Sequence, residues 1–97
     1  MEENVRKEME TLKGMVINWK KDYLGWAPSD GGWEYLPREL QEEIDTHISP
    51  YIRRMWECEY LSPSEVREFM ESCYAQVEDL RNTLAEMEEK QRSAKGG

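Results

Sequence analysis

The sequence predicts an all-α fold, a small three-helix or kinked four-helix bundle, from two apolar stripes and one helix cap. The first stripe is Val5, Met9, Leu12, Val16, Trp19 and Tyr23; the second is Val66, Met70, Cys73, Val77, Leu80, Leu84 and Met87. Steps of three and four residues keep each set on one side of a helix, the pattern of two heptad-patterned long helices packed lengthwise. The cap is Ser62-Pro63-Ser64-Glu65, a capping box with proline at the first helical position.

Taken in order, helix one is expected over residues 2–24, with Gly25 ending it in a left-handed cap and Pro28 preventing its resumption. Gly14 inside this helix costs about 1 kcal/mol relative to alanine. Residues 25–36 read as a loop from Pro28, Asp30, Gly31 and Gly32, yet this loop carries Trp26, Trp33 and Tyr35. The stretch 37–60 is helical again, opened by Pro37 and marked by Leu40, Ile44 and Ile48. Pro50 makes it either one kinked helix or two short ones, the second capped by Ser49. Helix three follows over 63–90, with Leu61 and Val66 as a hydrophobic staple and 91–97 as a flexible polar tail.

Up-down-up packing brings Trp19, Tyr23, Trp26, Trp33, Tyr35 and Leu36 to one pole around Leu84 and Met87. The other pole then gathers Val5, Met9, Met55, Trp56, Tyr60 and Phe69. Phe69 and Tyr74 widen the stripe of helix three beyond what one partner helix covers, which raises the expectation of a helical homodimer.

Length and composition place limits on function. Ninety-seven residues with 38% hydrophobic and 35% charged content make a single domain, 1–90, with a modest core. No apolar run approaches the ~20 residues of a membrane span, and the acidic start lacks a secretory signal, so a cytoplasmic location is expected. Fourteen residues separate Cys58 from Cys73 without a Cys-x-x-Cys pair, and both read as reduced thiols. The net charge of -8 falls entirely on residues 23–97, because five acids balance five bases in residues 1–22. That balance opposes direct binding of nucleic acid or anionic membrane and favours a protein partner with a basic surface.

Chemical motifs are sparse. No Gly-x-Ser-x-Gly occurs, and Gly31-Gly32 lacks the lysine of a phosphate loop, so no catalytic residue and no cofactor is expected. His47, Cys58 and Cys73 lack the paired spacing of a zinc site, and His47 reads as a partly buried helical histidine. The best candidates are recognition surfaces. Trp26, Trp33, Tyr35, Phe69 and Tyr74 offer aromatic area of the kind enriched at binding hot spots. Glu68, Glu71, Glu78, Asp79 and Glu86 offer an acidic helix face.

Three functions follow in order of preference. The first is a helical protein-interaction module acting as adaptor, regulatory subunit or inhibitor. The second is a nucleic-acid mimic of the phage-inhibitor type, occupying the basic groove of a nucleic-acid-processing enzyme. The third is a magnesium-dependent nucleoside triphosphate pyrophosphohydrolase, since Glu39/Glu42 and Glu68/Glu71 have the i, i+3 form of helical magnesium sites. Against that third reading, Glu68 and Glu71 fall off the apolar stripe and face water.

Overall fold

The computed structural model describes residues 2–27 and 33–96, and its regular elements are all helical. They are α1 (Glu3–Trp26), α2 (Leu36–Glu43), a π-helical turn (Ile44–Ile48), α3 (Ser49–Glu57) and α4 (Pro63–Gly96). The chain forms a small all-α bundle of 57 × 20 × 19 Å. The 34 residues of α4 run about 51 Å at 1.5 Å each, and both other rods lie against this mast. Residues 28–32 of the expected aromatic loop, and Gly97, lie outside the described residues.

The core is built from one seam per rod. α1 supplies Val5, Met9, Leu12, Val16 and Tyr23; the middle rod supplies Leu36, Leu40, Ile44, Ile48, Ile52 and Met55; α4 supplies Phe69, Cys73, Val77, Leu80 and Leu84. Trp19, Val66, Met70 and Met87 pack against its edge. No polar or charged side chain is buried among the described residues, and each enclosed aliphatic contributes roughly 1.5–3 kcal/mol. On α4 the seam therefore starts at Phe69, whereas Val66 and Met70 of the expected stripe sit at its margin.

The middle rod resolves the ambiguity at Pro50. α2, the π turn and α3 are continuous from Leu36 to Glu57, and Ser49 lies within the helix without forming a side-chain cap. In an α-helix, apolar residues every fourth position drift by about 40° per step, because each residue turns about 100°. Leu36, Leu40, Ile44, Ile48 and Ile52 keep that step four times and all stay buried. The π turn takes up the drift with one extra residue, and there the Ser49 N–H reaches back to the Ile44 carbonyl. The wider turn also lies where the ring of Pro50 would crowd the carbonyl four residues earlier in a regular helix.

Helix ends follow local chemistry. α1 does not stop in a left-handed Gly25; it continues to Trp26, and Ala27 turns extended at φ -59°, ψ 123°. Pro28 explains this, since the residue before a proline is disfavoured in the α region. α3 ends in a paired cap, with Glu59 N–H donating to the Trp56 carbonyl (3.0 Å) and Tyr60 N–H to that of Met55 (2.9 Å). Glu59 there holds a left-handed φ of 64°, a position glycine usually fills. The α4 capping box is formed as expected: Ser62 N–H donates to Glu65 Oε1 (2.8 Å), and Glu65 N–H donates to Ser62 Oγ (3.2 Å). α4 runs past Lys90 to Gly96.

Polar locks join the rods around the dry core. Tyr23 of α1 donates to Glu43 of α2 (3.1 Å), Tyr51 of α3 to Glu8 of α1 (2.8 Å), and Tyr74 of α4 to Asp45 of the π turn (2.5 Å). Lys20 of α1 reaches both Gln76 (2.8 Å) and Asp79 (2.6 Å) of α4. Burial, then the carboxylate each one faces, pushes the Tyr23 and Tyr74 hydroxyls up to about 12. The hydrogen bond to Glu8 raises that of Tyr51.

Two predictions test this architecture. Gly14 has open space where a Cβ would stand, so Gly14→Ala should stabilise the bundle by about 1 kcal/mol. Glu59→Gly should do so by a similar ~1 kcal/mol by relieving the left-handed residue. Each is expected to raise the thermal midpoint by roughly 4–8 °C in calorimetry, and a fall in either variant contradicts the assigned conformation. The tyrosines set the alkaline limit. Their folded pKa lies above the unfolded value near 10, so the stabilisation they give is complete below about pH 10 and is lost as pH rises towards 12. Denaturant titrations should show stability falling across that window, and Tyr23→Phe with Tyr74→Phe should flatten the fall.

Candidate functional site

Once the seams are filled, the remaining aromatic rings mark the candidate surfaces. Each rod presents about a third of its circumference to the core, so a residue next to a seam position points about 100° away. On α3, Ile52 and Met55 hold the seam, which turns Tyr51 and Trp56 outward. Both are exposed, and Tyr60 beyond the cap is 53% exposed. These three belong to the pole where the start of α1 meets the end of α3, where the sequence gathers Trp56 and Tyr60 with Val5, Met9, Met55 and Phe69. The spacing of Ile48, Ile52 and Met55 was the signal that Tyr51 and Trp56 lie off the seam.

That pole holds a shallow depression of 310 Å³ lined by Glu2, Asn4, Val5, Glu8, Tyr51, Met55 and Tyr60. Val5 and Met55 make an apolar floor, Tyr51 and Tyr60 form aromatic walls, and Glu2 and Glu8 bring negative charge. The hydrogen bond from Tyr51 engages Oε1 of Glu8 and holds this carboxylate at the wall.

The opposite pole divides the expected binding residues. Trp26, on the last turn of α1, is 68% exposed and stands edge-on to Tyr23 at 5.7 Å and 86°. Tyr35, just before α2, is exposed as well. Trp33 is not available to a partner: at 4% exposure it closes the core. With Pro37, Leu84 and Ala85 it lines a 210 Å³ depression rimmed by Glu34, Arg81 and Glu88. Phe69 is likewise corrected to the core at 3% exposure, with the Lys13 ammonium 5.8 Å from its ring centre. Its place in the i, i+4 series with Cys73 and Val77 accounts for this. Tyr74 keeps an exposed ring edge, but its hydroxyl is engaged by Asp45.

The acidic residues of α4 share one face. Glu68, Glu71, Glu78, Asp79 and Glu86 are all exposed, and at about 100° per residue they cluster opposite the Phe69–Leu84 seam. Asp79 is paired with Lys20 and Glu78 with Arg81.

The residues considered for metal chemistry stay apart. Glu39 and Glu42 on α2 and Glu68 and Glu71 on α4 are exposed, and no three His, Cys, Asp or Glu side chains form a metal-holding group among the described residues. His47 is exposed rather than partly buried, its ring tilted 57° to Trp19 at 6.2 Å. It sits on the flank of the middle rod next to the fully buried Ile48, not on the seam. Cys58 and Cys73 are free thiols, the first exposed and the second buried. Burial raises the Cys73 thiol to about 11. No helix among the described residues is long and apolar enough to cross a membrane. Neither a family model, a curated protein nor a solved structure matches this chain.

The placement of Trp33 has a direct consequence. Trp33→Ala should cost about 3–5 kcal/mol by opening a cavity beneath the start of α2. Trp26→Ala, at an exposed site, should change stability by no more than about 0.5 kcal/mol. Parallel urea unfolding of the two variants measures the contrast, and equal losses would contradict the separation of lid from surface.

Proposed function

We propose that this chain is a small helical protein-interaction module, acting as an adaptor, regulatory subunit or inhibitor of a partner protein. One observation carries the reading. A bundle this small keeps Trp26, Tyr35, Tyr51, Trp56 and Tyr60 exposed while it encloses an entirely apolar core. Large exposed rings are costly to leave in water and are the side chains that contribute most at protein interfaces. Both poles carry them, so the module has two faces with which to bridge or block.

A second reading, the acidic mimic of nucleic acid, draws support from the common face of Glu68, Glu71, Glu78, Asp79 and Glu86. Magnitude weakens it. Five carboxylates over about 27 Å of helix give roughly one charge per 5–6 Å, against about one per 1.7 Å of duplex axis. Two of the five are already paired with bases of the same chain.

Quantitative affinity purification with the wild-type chain, Trp26→Ala and Trp56→Ala tests the proposal, with folding of each variant checked by thermal midpoint. A specific partner should be recovered by the wild type and lost at least fivefold with one variant whose midpoint is unchanged. Recovery that both variants leave intact, yet which collapses with added salt, sinks the aromatic reading and favours the acidic mimic.

A further inference from the structure

We propose that the depression between the start of α1 and the end of α3 receives a basic side chain, arginine or lysine, of a partner protein. The inference rests on the interaction-module reading and names the chemistry one pole would select. Its observations are the ring-and-carboxylate composition of the 310 Å³ depression and the lack of a basic side chain among its described lining residues. Glu2 and Glu8 line it together with Tyr51 and Tyr60, and no base lines it among the described residues.

Neighbouring depressions differ in this respect. Glu65 and Glu68 share theirs with Lys13, Glu34 and Glu88 with Arg81, and Asp45 and Glu57 with Arg53 and Arg54. Only one oxygen of Glu8 is engaged by Tyr51 among the described residues, and Glu2 forms no ion pair there. A cation over the face of a tyrosine is attracted by the ring quadrupole, and a nearby carboxylate adds charge complementarity. Val5 and Met55 beneath offer an apolar bed for the methylene stem that arginine and lysine both carry. A neutral or acidic occupant would leave Glu2 and Glu8 partly desolvated without compensation, which sets the selectivity.

The test uses the full chain, isotopically labelled, titrated with N-acetyl-arginine amide, N-acetyl-lysine amide and the neutral isostere N-acetyl-citrulline amide, and followed by amide chemical shifts. Saturable shifts confined to residues around Asn4, Val5, Tyr51 and Tyr60 are expected for the two cations, with millimolar affinity. Citrulline should bind about three- to fivefold more weakly, the factor that one exposed cation–π contact provides. Glu8→Gln and Tyr60→Ala should each weaken the cations by a similar factor; Tyr60 is exposed, so its variant keeps the thermal midpoint and separates loss of binding from loss of fold. Equal shifts from citrulline, or shifts scattered over the α4 acidic face, overturn the proposal. Should the cations fail here while partner recovery still depends on Trp26 or Trp56, this assignment falls and the interaction-module reading stands.

Discussion

A single widened turn sets the phase of half the molecule. One residue added to a helical turn rotates everything after it by about 100° relative to a regular α-helix. In the middle rod the addition falls at Ile44–Ile48. Because of it, Ile48 and Ile52 stay in line with Leu40 and Ile44, and all four are buried essentially completely. The same phase presents Tyr51 to Glu8, so this polar lock between α3 and α1 depends on it too. It also turns Trp56 outward. A regular helix through this segment would have swung α3's apolar residues off the mast and left α4 half covered.

Much of this was legible in the residue pattern. The α1 seam, the α4 seam from Cys73 onward and the Ser62–Glu65 box all stand where spacing and capping chemistry place them, because each is decided within a few residues. What spacing could not decide was the competition among neighbours. Phe69 flanks an expected stripe that opens with Val66 and Met70, and only the position of α1 beside α4 selects the ring for the interior. Gly25 satisfies the usual rule for a helix end, yet Pro28 acts on Ala27 and moves the stop one turn-fraction later. The π turn had a trace in the sequence, a step of four kept from Leu36 to Ile52. A rule that reads steps of three and four alike as helix passes over it.

The same limit explains the division among aromatic residues. Ring content alone marks Trp26, Trp33, Tyr35, Phe69 and Tyr74 as equivalent, but burial separates them, with Trp33 and Phe69 inside and Trp26 and Tyr35 outside. Conversely, Trp56 and Tyr60 share a pole with the buried Val5 and Met55 yet stay exposed, as does Tyr51. Their exposure follows from the seam being already occupied by Ile52 and Met55. A narrow core of three rods has room for one residue per turn from each, and aromatic residues beyond that number must lie on the surface.

This surplus gives the two kinds of surface different prospects. Carboxylates along α4 are spread on a convex rod, open to water and salt, and two are neutralised at home by Lys20 and Arg81. Charges so placed are screened within about 10 Å at ordinary ionic strength and fix little orientation. At the α1–α3 pole, fewer carboxylates lie beside rings and aliphatic floor, where a partner's approach excludes water and strengthens each remaining attraction. Desolvation makes such a site selective, because a group that cannot offset the buried negative charge is penalised more than a matching cation is rewarded. On the proposed reading, recognition at that end would be governed by shape and local dielectric, and the overall negative charge would chiefly hasten the encounter with a basic partner.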